Sequence, residues 1–107
     1  MSQAAASQSN GSTPKGYWIV RVTPTDAARY PHYLAAAKPA FEAHGARFLV
    51  RGGAFEAKEG AARARNVVVE FKDVATARAC YDSAAYQAAK AIRNAIAEAD
   101  FIIVEGA

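Results

Sequence analysis

The stretch RFLVRGG at residues 47–53 and the stretch NVVVEF at residues 66–71 decide the fold of this 107-residue chain. Each is rich in the β-branched and aromatic residues that favour strands, and a polar segment separates the two. We therefore predict a long β-hairpin. Its first strand covers residues 47–50 and reaches the glycine pair, and the pattern also allows it to continue to Glu56.

The residues before this hairpin predict a strand and a helix. YWIVRVT at residues 17–23 is rich in strand-forming residues and is followed by Pro24, which ends the strand. Thr25 and Asp26 offer helix caps, and a helical stripe ending near Gly45 follows, with apolar or aromatic residues three and four positions apart: Tyr30, Tyr33, Leu34, Ala37 and Phe41. In this stripe Pro31 suits the first turn, whereas Pro39 is expected to kink or restart the helix.

The residues after the hairpin predict further helix and a last strand. Asp73 is suited to capping a helix that runs to about Tyr81, and Ser83 to capping a second segment over residues 85–97. Residues 100–104 predict the closing strand. The order β-α-β-β-α-β is that of α+β ferredoxin-like folds, in which the helices cover one face of a four-stranded antiparallel sheet. The length corresponds to one domain, residues 16–107, preceded by a polar tail, residues 1–15, that we expect to be disordered.

Side-chain alternation along the strands predicts what each sheet face carries. Sets that are wholly apolar, such as Trp18, Val20 and Val22, belong under the helices. Mixed sets place Arg21, Arg51 and Glu70 among apolar residues on the open face, which is too apolar to leave in water. We therefore expect a homodimer joined through the sheet faces. There Arg51 and Glu70 either pair as ions across the interface or hold a small acidic ligand.

The helices supply further candidate binding residues, each with a structural alternative. Tyr33, Tyr81, Tyr86 and Arg93 have polar tips on apolar bodies, so each tyrosine can serve either core packing or a ligand. His32 is a weaker candidate because it can titrate near neutral pH. Cys80 lies among alanines, which favours a small buried side chain over a nucleophile.

Composition argues against several classes of function. The net charge of +3 comes from basic residues scattered among acids, without the basic stripe and stacking platform of nucleic-acid binding proteins. No recognised metal-ligand spacing surrounds the two histidines, and no apolar run approaches a membrane span. The single cysteine fits a reducing compartment. We therefore expect a cytoplasmic protein with no metal, no cofactor, no nucleic-acid partner and no membrane segment.

The ordered set of motifs resembles the DUF1330 family of small bacterial proteins, within the dimeric α+β barrel superfamily. The resemblance covers residues 16–106 and rests on the following fragments: Tyr30 and Tyr33, G-x-x-F-L-V-R-G-G ending at Gly53, Glu59-Gly60, V-V-V-E-F ending at Phe71, Tyr81-x-Ser83-x-x-Tyr86, Arg93 and Val104-Glu105-Gly106. His44-Gly45-Ala46 departs from the double glycine that often precedes the second strand in the family. The resemblance implies a ferredoxin-like subunit and a homodimer built through the sheets, and it supplies no established reaction.

Two functional hypotheses follow. In the first, a dimeric binding protein or cofactor-free enzyme, similar to the monooxygenases and isomerases of the superfamily, holds an acidic or aromatic metabolite between sheet and helices. Its enzymatic form uses Glu70 as a base and Arg51 or a tyrosine to stabilise an enolate. In the second, the chain is a non-catalytic dimerisation module whose arginine and glutamate only pair at the interface.

Overall fold

A computed structural model describes residues 13–107 as one α+β unit. The elements in chain order are β1 Gly16–Pro24, α1 Tyr30–Ala43, β2 Arg47–Arg51, β3 Arg65–Phe71, α2 Val74–Asp82, α3 Ala84–Ile96 and β4 Ala97–Glu105. The predicted tail lies mostly outside the described residues. Its last residue, Lys15, accepts a 2.8 Å backbone hydrogen bond from Gly106 and so pairs with the end of β4. None of the helices within residues 13–107 is long and apolar enough to cross a bilayer.

The four strands form one antiparallel sheet in the order β2-β3-β1-β4. The two central strands, β1 and β3, come from opposite halves of the chain, which is the split arrangement of a ferredoxin-like fold. Trp18 on β1 lies opposite Val69 on β3 and Ile103 on β4. The predicted fold class is therefore confirmed.

Trp18 is the centre of the core on the helix-covered face. It is 1% exposed, and its indole nitrogen donates a 2.9 Å hydrogen bond to the carbonyl of Ala77 on α2. Five aromatic rings from the three helices and two other strands lie with centroids 4.8–6.3 Å from it: Phe41, Phe71, Tyr81, Tyr86 and Phe101. One side chain thus joins every layer of the subunit, and aromatic burial compensates for the small volume of the many alanines.

The predicted side-chain caps are present at the N-termini of α2 and α3 but not at that of α1. Asp73 accepts a 2.7 Å hydrogen bond from the backbone of Thr76, and Ser83 accepts one of 3.2 Å from Tyr86, as predicted. The α1 helix begins at Tyr30, after a turn at residues 27–29, and has no side-chain cap. Pro31 occupies its first turn.

Of the two effects expected of Pro39, a kink or a restart of the helix, the restart is wrong, because one helix covers Tyr30–Ala43. A proline inside a helix leaves the carbonyl four residues earlier without its partner. Here that carbonyl belongs to Ala35, and both Ala35 and Pro39 are exposed. The unpaired group can therefore be hydrated at little cost.

The first strand of the hairpin agrees with the predicted residues 47–50, but its optional continuation to Glu56 does not occur. The β2 strand ends at Arg51, where Gly52 adopts a positive φ of 70°, and residues 52–64 form an exposed connection without regular structure. Arg63 anchors the end of this connection, because its guanidinium donates to Asp100 at 2.8 Å and to Thr23 at 2.9 Å. The last strand is longer than predicted and begins directly after α3.

A β-bulge in β2 corrects the predicted content of the two sheet faces. The register shifts between Phe48 and Val50, so that Val50 lies opposite Val68 and Arg51 lies opposite Val67. Directly opposed residues share a face, and Val67 belongs to the buried core. Arg51 therefore lies on the helix-covered side, and its predicted place beside Glu70 on the open face is wrong.

Strand β4 needs a similar correction. Its wholly apolar pair, Ile102 and Val104, was expected under the helices but is 57% and 41% exposed on the open face. Phe101 and Ile103 take the core side instead, opposite Val20 and Trp18. Alternation alone misassigned this edge strand, because the set that takes the core side also includes Glu105, which is exposed at the strand end.

We expect Gly16→Ala to destabilise the protein by about 1–3 kcal/mol, the usual cost of overpacking. A Cβ at Gly16 would lie 2.5 Å from the backbone oxygen of Asp73, which caps α2 and cannot move independently. Gly53→Ala is the matched control, since a Cβ there meets no atom within 4 Å. Urea unfolding measures both variants, and equal midpoints would contradict the predicted close approach of β1 to α2.

Candidate functional site

The candidate site is a cleft between α1 and the β2–β3 edge of the sheet. Its inner chamber has a volume of about 30 Å³, and Tyr30, Tyr33 and Arg65 line it together with core residues. Its outer groove has a volume of about 690 Å³ and is lined by Lys38, Glu42 and Arg51 together with residues of α1 and β2. The two parts share four lining residues and therefore adjoin: Leu34, Phe41, Phe48 and Arg65.

Arg65 stands where the inner chamber meets the outer groove. Its Nε is buried and has no hydrogen-bond partner among the described residues. The guanidinium carbon lies 5.4 Å from the ring centroid of Tyr30. A Cβ at Gly52 would lie 2.5 Å from Arg65 Nη1, so the glycine after β2 leaves the space that the guanidinium occupies. This arrangement leaves a positively charged donor beside an apolar cleft.

Arg51 supplies a second cation to the same cleft. The bulge places it on the helix side, where its guanidinium carbon lies 4.1 Å from the ring centroid of Phe48. Stacking on an aromatic face holds a guanidinium in place while leaving its N–H groups free to bind an anion. The predicted candidate Arg51 is therefore part of the cleft, although not through the face expected for it.

A buried chain of phenols lies beside the inner chamber. The hydroxyls of Tyr33 and Tyr86 are 2.7 Å apart, and Arg93 Nη1 donates a 2.6 Å hydrogen bond to the Tyr86 oxygen. Burial raises the pKa of Tyr86 far above its usual range, and the neighbouring Tyr33 adds to this while Arg93 opposes it. Burial likewise raises the pKa of Tyr30. Both phenols are therefore neutral at physiological pH.

Arg93 is a buried cation without a carboxylate. It is 5% exposed, and within residues 13–107 no Asp or Glu oxygen lies within ion-pair distance of it. Its charge is stabilised by its place in the last turn of α3 and by the rings of Tyr33 and Phe101, each 5.7 Å from its guanidinium carbon. The structure thus brings together three predicted candidates, Tyr33, Tyr86 and Arg93.

Glu70 lies on the other face of the sheet. It accepts a 3.0 Å hydrogen bond from the Tyr17 hydroxyl, and Arg47 Nη1 is 3.9 Å from its second oxygen. The hydrogen bond to Glu70, together with burial, raises the pKa of Tyr17. Within one chain Glu70 therefore does not reach the cleft, and it lies on the opposite sheet face from Arg51.

The remaining predicted candidates lie apart from the cleft. Tyr81 is a core residue whose ring packs on Trp18 and Phe101, and its hydroxyl bonds to no residue in the range 13–107. His32 is exposed on α1. Cys80 is fully buried, and burial raises the pKa of its thiol to about 12, as expected for a structural cysteine.

Sequence reasoning missed Arg65 and the role of Tyr30. The signal for Arg65 was present, because it lies two and four residues before Val67 and Val69 and so continues the buried side of β3. The predicted strand began one residue later, at Asn66, and this hid the continuity. Tyr30 was recognised in the helical stripe but not as a neighbour of two arginines.

In the described part of the chain, no three His, Cys, Asp or Glu side chains come close enough together to hold a metal ion. The cleft offers guanidinium groups, phenols and apolar side chains, which bind anions and aromatic bodies. What this arrangement can do chemically is bind an acidic molecule, orient it and stabilise negative charge on it.

A ferredoxin-like α+β subunit with a cationic and phenolic cleft on its helix side defines the class of this protein. Residues 15–107 match DUF1330, a domain of unknown function, and the chain belongs to that family. A search of curated proteins found no match.

Solved structures share the fold. The structure resembles that of a protein of unknown function from Rhodopseudomonas palustris, with a TM-score of 0.73 and 17% identity over 94% of this chain and 88% of that chain. It also resembles SnoaB, a cofactor-independent oxygenase from Streptomyces nogalater, with a TM-score of 0.59 and 12% identity over 86% and 92% of the two chains.

A third neighbour comes from Bacteroides thetaiotaomicron. It is a conserved protein of unknown function described as a possible oxidoreductase, with a TM-score of 0.53 and 14% identity over 88% of this chain and 99% of that chain. At these identities the likeness shows the fold alone.

We expect Tyr86→Phe to cost about 1–3 kcal/mol of stability, because it leaves the buried Arg93 without the acceptor that its Nη1 now uses. Tyr81→Phe removes a hydroxyl from a neighbouring ring of the same core and should change stability by less than about 0.5 kcal/mol. Urea unfolding with both variants separates the two effects. A Tyr86→Phe protein as stable as Tyr81→Phe would mean that the Arg93–Tyr86 bond contributes nothing to folding.

Proposed function

We propose that this chain binds a small acidic molecule with an apolar or aromatic body in the cleft between α1 and β2–β3. The observation that carries the proposal is the buried, unpartnered Nε of Arg65 at the junction of the inner chamber and the outer groove. A buried donor without an acceptor costs about 1–3 kcal/mol. A ligand carboxylate there would remove that cost and form a charge-assisted hydrogen bond.

The lining of the cleft matches the two parts of such a ligand. Phe41, Phe48 and Leu34 offer apolar contact along the wall, while Arg65 and Arg51 supply cations from one side of it. Within the lining of the outer groove the acidic residue is Glu42, against Lys38 and the two arginines, so the local charge favours an anion. Apolar enclosure supplies affinity and the arginines supply orientation.

The proposal covers a binding protein and a cofactor-free enzyme of the monooxygenase or isomerase type. The fold shared with a cofactor-independent oxygenase supports the second form by analogy. The cleft groups that would act on a bound ligand are the phenols and the arginines, which stabilise negative charge on an oxygen. Glu70 is not part of this proposal, because it lies on the other sheet face.

We expect Arg65→Gln to weaken binding of phenylacetate by roughly tenfold or more, the loss of a charge-assisted hydrogen bond. Arg78→Gln is the matched control, since Arg78 is exposed on α2 and outside the cleft. Isothermal titration calorimetry with benzoate, phenylacetate and the uncharged phenylacetamide measures the three proteins. Equal affinity for the acid and the amide, or an unaffected Arg65→Gln protein, would overturn the proposal.

We also propose that two copies of the chain associate through their open sheet faces. A continuous apolar row crosses all four strands there, formed by Val50, Val68, Ile19 and Ile102. Val50 and Ile102, at the two edges of the sheet, are 43% and 57% exposed in the single chain. Acidic and basic side chains flank the row on both sides: Arg47 and Glu70 on one, Arg21 and Asp100 on the other.

An antiparallel sheet that is apolar on both faces needs a cover on each. A second copy is the occupant proposed here, because the face carries both signs of charge beside one apolar row and so is complementary to itself after a two-fold rotation. The partner would lie on the sheet face opposite the cleft.

Ile102→Lys should convert the dimer into a monomer without unfolding it, because the side chain is exposed in the single chain and belongs to the apolar row of the proposed interface. Ile92→Lys places the same charge on α3, on the other side of the sheet, and should leave the dimer intact. Light scattering at micromolar concentration reads the mass of both variants. The interface would be rejected if the unmodified protein had the mass of a monomer, or if the two variants had the same mass.

The second candidate function is a non-catalytic dimerisation module. The observation that favours it is that Glu70 already has Tyr17 and Arg47 as partners within one chain, so the open face can be closed without a ligand. The calorimetric experiment decides between the two functions, since the module would bind none of the acids while still forming a dimer.

A further inference from the structure

The phenol chain beside the inner chamber has a fixed direction. Arg93 has only N–H groups at its tip, so the Tyr86 oxygen must accept the 2.6 Å hydrogen bond between them. Tyr86 is fully buried, and its own hydroxyl hydrogen needs an acceptor. The oxygen of Tyr33, 2.7 Å away, is the acceptor that the structure offers.

The reverse direction leaves a buried group unsatisfied. If Tyr33 donated to Tyr86, the Tyr86 oxygen would accept from both Tyr33 and Arg93, and its own hydrogen would have no partner in a fully buried position. Such an orphaned hydroxyl costs about 1–3 kcal/mol. The order Arg93 to Tyr86 to Tyr33 satisfies Tyr86, and it leaves the free hydroxyl hydrogen on Tyr33, which lines the inner chamber.

Arg93 also makes Tyr33 a stronger donor. Successive hydrogen bonds of one direction polarise each other, and this effect is larger in a dry interior. The chain starts at a cation that is 5% exposed and has no carboxylate partner within residues 13–107. The positive charge at one end therefore favours negative charge at the other end, beyond the hydroxyl of Tyr33.

Tyr33 lines the inner chamber, whose volume of about 30 Å³ is enough for only about two water-sized groups. The chamber therefore accommodates one oxygen-bearing end of a ligand rather than a whole ring. Arg65 lines the same chamber and also the outer groove, so a ligand that extends from one to the other meets both groups.

We infer that the Tyr33 hydroxyl donates a hydrogen bond to a negatively charged oxygen of the ligand, and that Tyr86 and Arg93 are positioning residues that act through it. The inference rests on the proposed function and narrows the ligand class. Besides the carboxylate held at Arg65, the ligand carries a second acidic oxygen, that of a phenol or of an enolisable ketone.

A chromophoric phenol tests the donor. We expect the protein to bind 4-nitrophenol in its yellow, ionised form more tightly than in its neutral form, since an anionic oxygen accepts the stronger hydrogen bond. Tyr33→Phe should reduce this preference by roughly tenfold or more. Tyr81→Phe is the matched control, because it removes a hydroxyl that takes no part in the chain. Absorbance titrations across the ionisation of the probe measure the preference.

The positioning residues are tested by the same readout, which a merely structural role would not change. Tyr86→Phe and Arg93→Gln should each lower the preference for the ionised probe while leaving Tyr33 in place. Arg93→Lys keeps a buried cationic donor and should restore part of the preference. Thermal midpoints identify variants that fail to fold. For such a variant, the inference is judged by whether the unmodified protein prefers ionised over neutral 4-nitrophenol.

The experiment separates this inference from the proposed function. Phenylacetate has no second acidic oxygen and depends on Arg65, whereas 4-nitrophenol has no carboxylate and depends on Tyr33. Binding of phenylacetate without a preference for ionised nitrophenol overturns the inference and leaves the proposed function standing. The reverse result supports the donor and rejects the carboxylate site. Failure of the unmodified protein to bind 4-nitrophenol, or an unaffected Tyr33→Phe protein, overturns the inference.

Discussion

The burial of Trp18 is the constraint on which the rest of the subunit depends. Its ring contacts aromatic side chains from α1, α2, α3, β3 and β4, and its indole N–H is satisfied by the carbonyl of Ala77. In a chain whose apolar residues are largely alanine, one large side chain thus fixes the distance between sheet and helices. Tyr86, part of the same cluster, places the polar chain beside the cleft.

The helix side of the sheet therefore combines a dry core with cations that have no carboxylate partners in the described part of the chain. Arg93 is held by aromatic rings and a phenol, and Arg65 by the ring of Tyr30 and the space at Gly52. Unpaired buried charge is expensive, so a protein whose sole need was a stable core would gain from replacing it. Several energetically costly buried charges close to one cleft are typical of a functional site.

Several parts of this arrangement were predictable because they depend on local patterns. Asp73 and Ser83 cap helices through their own backbone neighbours, and the alternation in β1 assigns Trp18, Val20 and Val22 to the core. Arg93, Tyr33 and Tyr86 were found as candidates because polar tips on helical stripes are visible in sequence. The face of Arg51 was not predictable, because a bulge inserts one residue and reverses the alternation after it. Local signals likewise gave no warning that Pro39 is tolerated inside α1.

The sequence by itself determined the element order, the ferredoxin-like class, the caps of α2 and α3 and the family, since all of these follow from short-range periodicity and ordered motifs. Only the tertiary structure decided which polar residues meet. Register between strands moved Arg51 away from Glu70, and the packing of α1 against α3 and β3 brought Tyr30, Tyr33, Tyr86, Arg65 and Arg93 together. The physical reason is that these contacts, apart from the Arg93–Tyr86 bond within α3, join residues tens of positions apart. Their distances depend on a bulge, a glycine and one buried tryptophan rather than on any local preference.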